Sequence, residues 1–199
     1  MMDLLPLLND TIECSCEECT AACHRKPGWF LPEEIKPAAA LLGISEQEFF
    51  NEFLSVDYYG NSHDSEGNEI PDGYMFVLSP ATDKSPPGDM FPFDPSGTCV
   101  FLKDGKCSIH EAKPFECKVY DHRHLVSTKV HKQVAEAWIE HKDKIVELLG
   151  REPEVESFAD LPADEQHERM MDLVSKLPPH EQMKFMVQML KSFKSVLGE

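Results

Sequence analysis

Six of the seven cysteines in this chain stand in two groups, and this arrangement restricts the fold more than any other feature of the sequence. The groups are Cys16-x2-Cys19-x3-Cys23 near the start and Cys99-x7-Cys107-x9-Cys117 in the middle. Thiolates are preferred ligands for zinc and for iron–sulfur clusters, and short spacings let several sulfurs converge on one centre. The sequence therefore predicts that bound metal joins the N-terminal segment to the middle of the chain.

All six of these cysteines are candidate metal ligands, and two neighbouring residues are auxiliary candidates. These are His24, which can replace a thiolate on zinc, and Cys14, which stands outside the two groups. In a helix, Cys16, Cys19 and Cys23 would occupy positions i, i+3 and i+7 on one face. In a turn, Cys16-x-x-Cys19 would form the chelating loop that is familiar from zinc sites. Both conformations bring the sulfurs together.

The cysteine count and the chain start favour metal chemistry over a disulfide scaffold. Seven is an odd number, so full pairing within one chain is excluded. The apolar run at the start lacks a basic region and carries Asp3 and Asp10, so it does not resemble a signal peptide. No stretch approaches the eighteen or so apolar residues that a membrane helix needs. We therefore expect a cytoplasmic protein. In that reducing compartment, cysteine clusters more often hold metal than form structural disulfides.

The charge of the chain limits its partners. It has 36 acidic and 19 basic residues and a formal net charge of −17. Such a surface repels phosphate backbones and anionic lipids, so we expect neither nucleic acid nor membrane as a partner. A basic protein partner would fit this charge, although solvation alone also accounts for it. The oligomeric state stays open.

Residues 31–59 are predicted to form two helices. Pro37 must fall within the first turn of the first helix or kink it. Ser45 and Glu48 form a capping box that opens the second helix, which is predicted to run through Leu54.

The most specific local signal is Asp104-Gly105 between two apolar runs, which predicts a hairpin within residues 99–110. In a two-residue turn Leu102 faces Cys107, which would leave Cys99 on the opposite face, whereas a three-residue turn would put both cysteines on one face but about 13 Å apart along the strands. Neither regular form brings both sulfurs to one zinc ion. Either Cys99 lies at or before a bend that begins the hairpin, or the two cysteines serve different centres.

Three potential ligands follow the hairpin. Lys113-Pro114 predicts the start of a helix with Cys117 in its first turn. His122 and His124 alternate, so an extended segment would place both imidazoles on one side as ligands or proton carriers. Surface histidines without such a role are more common.

The remaining segments are a polar loop, a strand and further helices. Residues 57–73 are turn-rich and predict an exposed loop, and residues 74–78 predict a strand. Apolar positions repeat at helical spacing over 134–148 and 183–197, on either side of an acidic linker at 151–165.

The expected fold class is mainly α with a small β-hairpin, a compact cysteine-cluster metal-binding domain plus C-terminal helices. We expect residues 1–128 to form the cysteine-cluster domain and residues 129–199 to form a C-terminal helical extension packed on it.

The chain resembles the YkgJ-type cysteine-cluster family over roughly residues 14–124. The resemblance is carried by Cys16-x-x-Cys19-x-x-x-Cys23-His24, Cys99-Val100-Phe101-Leu102, Cys107-Ser108-Ile109-His110-Glu111, Lys113-Pro114 and Cys117. It implies a zinc- or iron-chelating domain similar to the flagellin lysine N-methylases. The family has an adjacent Cys-Cys pair where this chain has Cys23-His24, and Arg-Pro where it has Lys113-Pro114.

Three functions agree with these patterns. The first is a metal-binding protein whose two clusters converge on zinc or, alternatively, on an iron–sulfur centre. The second is a redox enzyme or a protein-modifying enzyme, similar to a lysine methyltransferase, that uses this centre. The third is a metal carrier or a partner-binding adaptor. Six thiols exceed the four ligands of one zinc ion, which favours two centres or one centre with reserve thiols. No Gly-rich nucleotide loop follows a strand.

Overall fold

The computed structural model describes residues 17–60, 73–91, 97–119 and 128–155, together with single positions between 162 and 183. The chain divides into two compact units, Met1–Val155 and Glu156–Glu199. The described residues of the first unit form six α-helices: α1 Glu17–Cys23, α2 Ile35–Leu42, α3 Glu46–Phe53, α4 Phe115–Val119, α5 Thr128–Ala137 and α6 Lys142–Leu149. They also form four strands: β1 Leu54–Gly60, β2 Tyr74–Pro80, β3 Leu102–Lys103 and β4 Lys106–Cys107.

The predicted fold class is confirmed, since helices predominate and a small hairpin lies at the predicted place. The capping box of α3 is present, with the Ser45 side chain accepting the Glu48 N–H. Pro37 lies in the first turn of α2, where its missing N–H does no harm. Among the described residues, no helix is long and apolar enough to cross a bilayer.

The central sheet pairs β1 with β2 in antiparallel register, with Val56 opposite Leu78. This corrects two predictions, because α3 ends at Phe53 and residues 57–60 are strand rather than exposed loop. Leu54, Val56, Tyr58 and Tyr59 are aliphatic, β-branched or aromatic, which favours a strand, and residues 54–57 are buried. Residues 61–72 of the predicted loop lie outside the described residues.

Helices pack around this sheet and enclose an apolar core. Phe30, Phe49 and Phe50 are fully buried beside the strands. Trp138, the residue directly after α5, is buried in the same core. The indole Nε1 of Trp138 donates to the Phe30 carbonyl at 2.7 Å, which satisfies the polar edge of this large buried ring. The core thus ties the segment after α1 to α5.

The second hairpin, β3–β4, turns at the predicted Asp104-Gly105, and of the two possible turn lengths it has the two-residue form. Leu102 lies opposite Cys107, and Asp104 and Gly105 have φ angles of 50° and 72°. Two consecutive positive φ values are typical of a type I′ turn. Cys99 lies before the bend that begins this hairpin, and its carbonyl accepts the Leu102 N–H at 3.0 Å. The first of the two alternatives for Cys99 therefore describes the backbone.

The predicted boundary between domains after residue 128 stays a prediction. Helices α5 and α6 belong to the first compact unit, and of the predicted helix over 183–197 the structure describes only Met183.

Candidate metal centre

Backbone hydrogen bonds bring the two cysteine groups together. Cys23 is the last residue of α1, and its carbonyl accepts the Cys99 N–H at 2.7 Å. The Arg25 carbonyl accepts the Gly97 N–H at the same distance. The chain after α1 therefore runs beside the segment that leads into the second hairpin. These bonds place the backbones of Cys23 and Cys99, one residue from each group, side by side.

The third contributor is α4, which carries Cys117. A carboxylate oxygen of Glu34 accepts the Phe115 N–H at 2.8 Å and so caps the start of this short helix. The Gly28 N–H points at the Cys117 sulfur with an N–Sγ distance of 3.3 Å. Such a bond favours the thiolate form and helps to orient it toward a metal.

Four of the six predicted ligands line one cavity of about 690 Å³. They are Cys23, Cys99, Cys107 and Cys117. Cys99 is buried, and the other three are partly buried. All four are free thiols. The cavity is thus a common pocket for sulfurs from three separate stretches of chain.

The other predicted ligands are not placed in the cavity. Cys14 and Cys16 lie outside the described residues, and Cys19 is described only as part of the α1 backbone. His122 and His124 also lie outside them. His24 is exposed and is not among the cavity-lining residues that the structure describes.

The chemistry of these donors fits a thiolate-bound metal, but the described sulfur atoms do not converge on one position. Within the described ranges, no three Cys, His, Asp or Glu side chains are arranged to hold an ion. Rotation about χ1 moves a cysteine sulfur while its backbone stays in place. Cys16 and the side chain of Cys19 lie outside the described part of the structure, so the four thiols of the cavity are only part of the predicted ligand set.

Burial keeps these thiols protonated. It raises the pKa of Cys99 to about 12 and the pKa of Cys117 well above its ordinary value. The pKa values of Cys23 and Cys107 are also raised by burial, although the Lys113 ammonium opposes the shift at both. A bound cation would reverse this preference, because a coordinating thiol is deprotonated outright.

Comparison with known families agrees with this cluster of thiols. Residues 15–143 match the family model CxxCxxCC, whose description is "Putative zinc- or iron-chelating domain". The chain belongs to the CxxCxxCC family. The match covers most of the chain and includes every described cysteine of the cavity. Comparisons with curated proteins and with solved structures gave no match.

The cavity of this CxxCxxCC domain also contains charged residues that no sequence pattern predicted. Glu116 is 2% exposed, although it immediately precedes Cys117. Its Oε2 accepts the Trp29 N–H at 2.9 Å, and its Oε1 lies 2.7 Å from Nδ1 of His131. Nothing in the sequence connects His131, on α5, with α4, since their contact exists only in the folded chain.

A second polar group surrounds the indole of Trp29. Its Nε1 donates to Oδ2 of Asp57 at 2.6 Å, and the Lys26 ammonium lies 2.8 Å from the same oxygen. The ammonium is also 5.4 Å from the centre of the indole ring, within the range of a cation–π contact. Asp57 belongs to the segment predicted as an exposed loop, which is why it was not expected here.

Proposed function

We propose that this CxxCxxCC domain holds a metal centre in the cavity through the thiolates of its two cysteine groups. The ligand candidates are Cys16, Cys19, Cys23, Cys99, Cys107 and Cys117. The observation that carries the proposal is that four of these thiols, from three separate stretches of chain, line one pocket. Zinc is the first candidate, and an iron–sulfur cluster is the alternative.

The surrounding residues have separable roles in this centre. The hairpin presents Cys107, and the bend before it presents Cys99. The Gly28 N–H orients the Cys117 sulfur, while Lys113 favours the thiolate forms of Cys23 and Cys107. Bound zinc would stabilise the fold or act as a Lewis acid, whereas an iron–sulfur cluster would accept and release an electron.

The test is the metal content of full-length protein purified without oxygen. Zinc should give a colourless protein with about one ion per chain, and an iron–sulfur cluster should give a brown protein with matching iron and sulfide. Cys→Ser substitutions at positions 23, 99, 107 and 117 should each weaken binding in a chelator competition. Ser108→Ala, at an exposed position beside Cys107 that is not among the described cavity-lining residues, is the comparison variant. Four variants that all keep full metal content would contradict the proposal.

A second candidate function is an enzyme that works at this centre, either in redox chemistry or in protein modification. The supporting observation is the size of the cavity, since about 690 Å³ greatly exceeds the space of one ion. Aromatic side chains of Trp29, Tyr58 and Tyr59 line the rest of it. An open coordination position would let azide change the visible spectrum of the Co²⁺-loaded protein. A closed structural site would leave that spectrum unchanged.

The location and partner are parts of the same proposal. A centre built from free thiols is best suited to a reducing compartment, so we propose the cytoplasm. The net charge of −17 supports a basic protein as partner.

A further inference from the structure

Glu116 is an unusual residue to find beside the thiols. Its side chain is 2% exposed, and burying a carboxylate is expensive unless it is well paired. Its Oε2 accepts the Trp29 N–H at 2.9 Å. Its Oε1 lies 2.7 Å from His131 Nδ1, without the alignment of a hydrogen bond. Among the residues that the structure describes, neither Oε1 nor Nδ1 has a hydrogen-bond partner.

These contacts continue directly into the metal-binding segment. The Glu116 N–H donates to the Trp29 carbonyl at 3.4 Å, so the two residues are bonded in both directions. One position further on, the Gly28 N–H donates to the Cys117 sulfur. Residues 28–29 and 116–117 are therefore joined by three consecutive hydrogen bonds. The Glu116 side chain supplies the acceptor for one of them.

The Glu116 carboxylate thus links three pieces of the fold. It connects α4, which carries Cys117, with the segment that follows Cys23, and through His131 it reaches α5. A buried apolar side chain would pack here at a lower cost in desolvation. In some proteins a buried polar group serves to fix one arrangement among several. Here the hydrogen bonds between Glu116 and Trp29 lie directly beside the bond between Gly28 and Cys117.

We propose that Glu116 is a positioning residue of the metal centre, holding Cys117 in register with the segment that leads from Cys23. The proposal rests on the proposed function, and it concerns how the sulfurs are oriented rather than whether they bind. Residues that orient metal ligands from outside the coordination sphere typically change metal affinity by about 10- to 100-fold when they are replaced.

The test compares Glu116→Leu and Glu116→Gln in the full-length protein. Gln keeps an acceptor for the Trp29 N–H, whereas Leu removes it. For Leu we expect affinity for Zn²⁺, measured against a chromophoric chelator, to fall by about 10- to 100-fold. The thiolate-to-Co²⁺ charge-transfer bands of the Co²⁺-loaded protein should shift as well. Gln should lose less than Leu in both measurements, because it restores one contact.

A matched control separates orientation from stability. Ile145 is fully buried in α6 and is not among the described cavity-lining residues, so Ile145→Ala should lower the unfolding midpoint without changing the Co²⁺ spectrum. If Glu116→Leu lowers the midpoint as Ile145→Ala does but leaves affinity and spectrum unchanged, Glu116 is only structural and the proposal is overturned. If Glu116→Leu prevents folding, the unfolding midpoint, metal affinity and Co²⁺ spectrum of Glu116→Gln are judged in the same way. A wild-type protein that binds neither Zn²⁺ nor Co²⁺ would overturn the proposed function itself.

Discussion

Gly28 is the position at which one added methyl group should disturb the centre most directly. A Cβ there would lie 2.7 Å from Cβ of Glu116, 2.9 Å from the Cys117 nitrogen and 3.1 Å from its sulfur. All three atoms belong to residues of α4, so the two segments must separate. We expect Gly28→Ala to lower the free energy of unfolding by about 1–3 kcal/mol and to weaken metal binding. Chemical denaturation and chelator competition measure the two effects.

Gly60→Ala is the comparison for this substitution. The added Cβ would meet the Tyr74 ring at 3.6 Å, an ordinary van der Waals distance. This variant should keep the metal affinity of the wild type. Equal losses of affinity in both variants would show that the close approach of Gly28 to Cys117 is not what matters.

The raised pKa values of the thiols predict how metal binding depends on pH. In the metal-free protein the thiols are protonated at neutral pH, since burial holds the pKa of Cys99 at about 12 and raises those of Cys23, Cys107 and Cys117. Metal binding must displace these protons, so affinity should rise as the pH rises and fall as the pH falls. About one proton should be released for each thiol that binds.

Calorimetry of Zn²⁺ binding in buffers with different ionisation enthalpies counts these protons. Cys99→Ser should release about one proton fewer than the wild type, because a serine hydroxyl is not expected to ionise there. Binding without proton release would mean that the thiols are not the ligands.

At the scale of single elements, the β3–β4 hairpin controls where Cys107 lies. Gly105 in its turn has a φ of 72°, and a Cβ added there would meet nothing within 4 Å. Alanine in this left-handed conformation costs roughly 1–2 kcal/mol. We expect Gly105→Ala to weaken the hairpin and to reduce metal affinity together with stability.

Gly150, at the end of α6, provides a matched control with a φ of 74° and equally open surroundings. Gly150→Ala carries the same backbone strain but lies outside the described lining of the cavity. It should lower the unfolding midpoint by a similar amount and leave metal affinity unchanged. Similar loss of affinity in both variants would argue against a specific role of the hairpin.

The same elements show which parts of the structure can be predicted from sequence. The turn of the second hairpin and the start of α3 depend on residues close together in the chain, Asp104-Gly105 and Ser45 with Glu48, and both were predicted. Strand β1 was not predicted, because its first apolar residues directly follow those of α3 and continue the same helical spacing. Its extended form depends on pairing with β2, which lies beyond residues 61–72.

The candidate site divides in the same way. The spacing of the cysteines indicated a shared centre, and the four described thiols do line one cavity. Glu116 contacts Trp29, which is 87 positions away in the sequence, and His131, which is 15 positions away. No local pattern encodes such contacts, since they arise from the packing of α4 and α5.

At the scale of the whole molecule, the apolar core shares Trp29, Cys99 and Phe101 with the thiol cavity but extends well beyond it. Phe49, Phe50 and Ile145 are fully buried and are not among the described lining residues of the cavity. Removing the metal should therefore leave the core folded and loosen the segments that the metal joins. After chelation we expect hydrogen exchange to accelerate at the Gly28 and Cys99 amides, while the β1–β2 amides stay protected.

Hydrogen exchange measured by mass spectrometry or NMR tests this expectation. Protein treated with chelator that has already been saturated with zinc serves as the control. Uniform loss of protection throughout the chain would mean that the core cannot fold without metal.

Burial of the thiols has one more consequence for the life of the molecule. Oxidants attack the thiolate far more readily than the thiol, so a chain that keeps its sulfurs protonated resists sulfenic acid formation and disulfide exchange. We therefore expect Cys23, Cys99, Cys107 and Cys117 to stay reduced in the metal-free protein. A metal that binds them would displace their protons and shield the same sulfurs from oxidants.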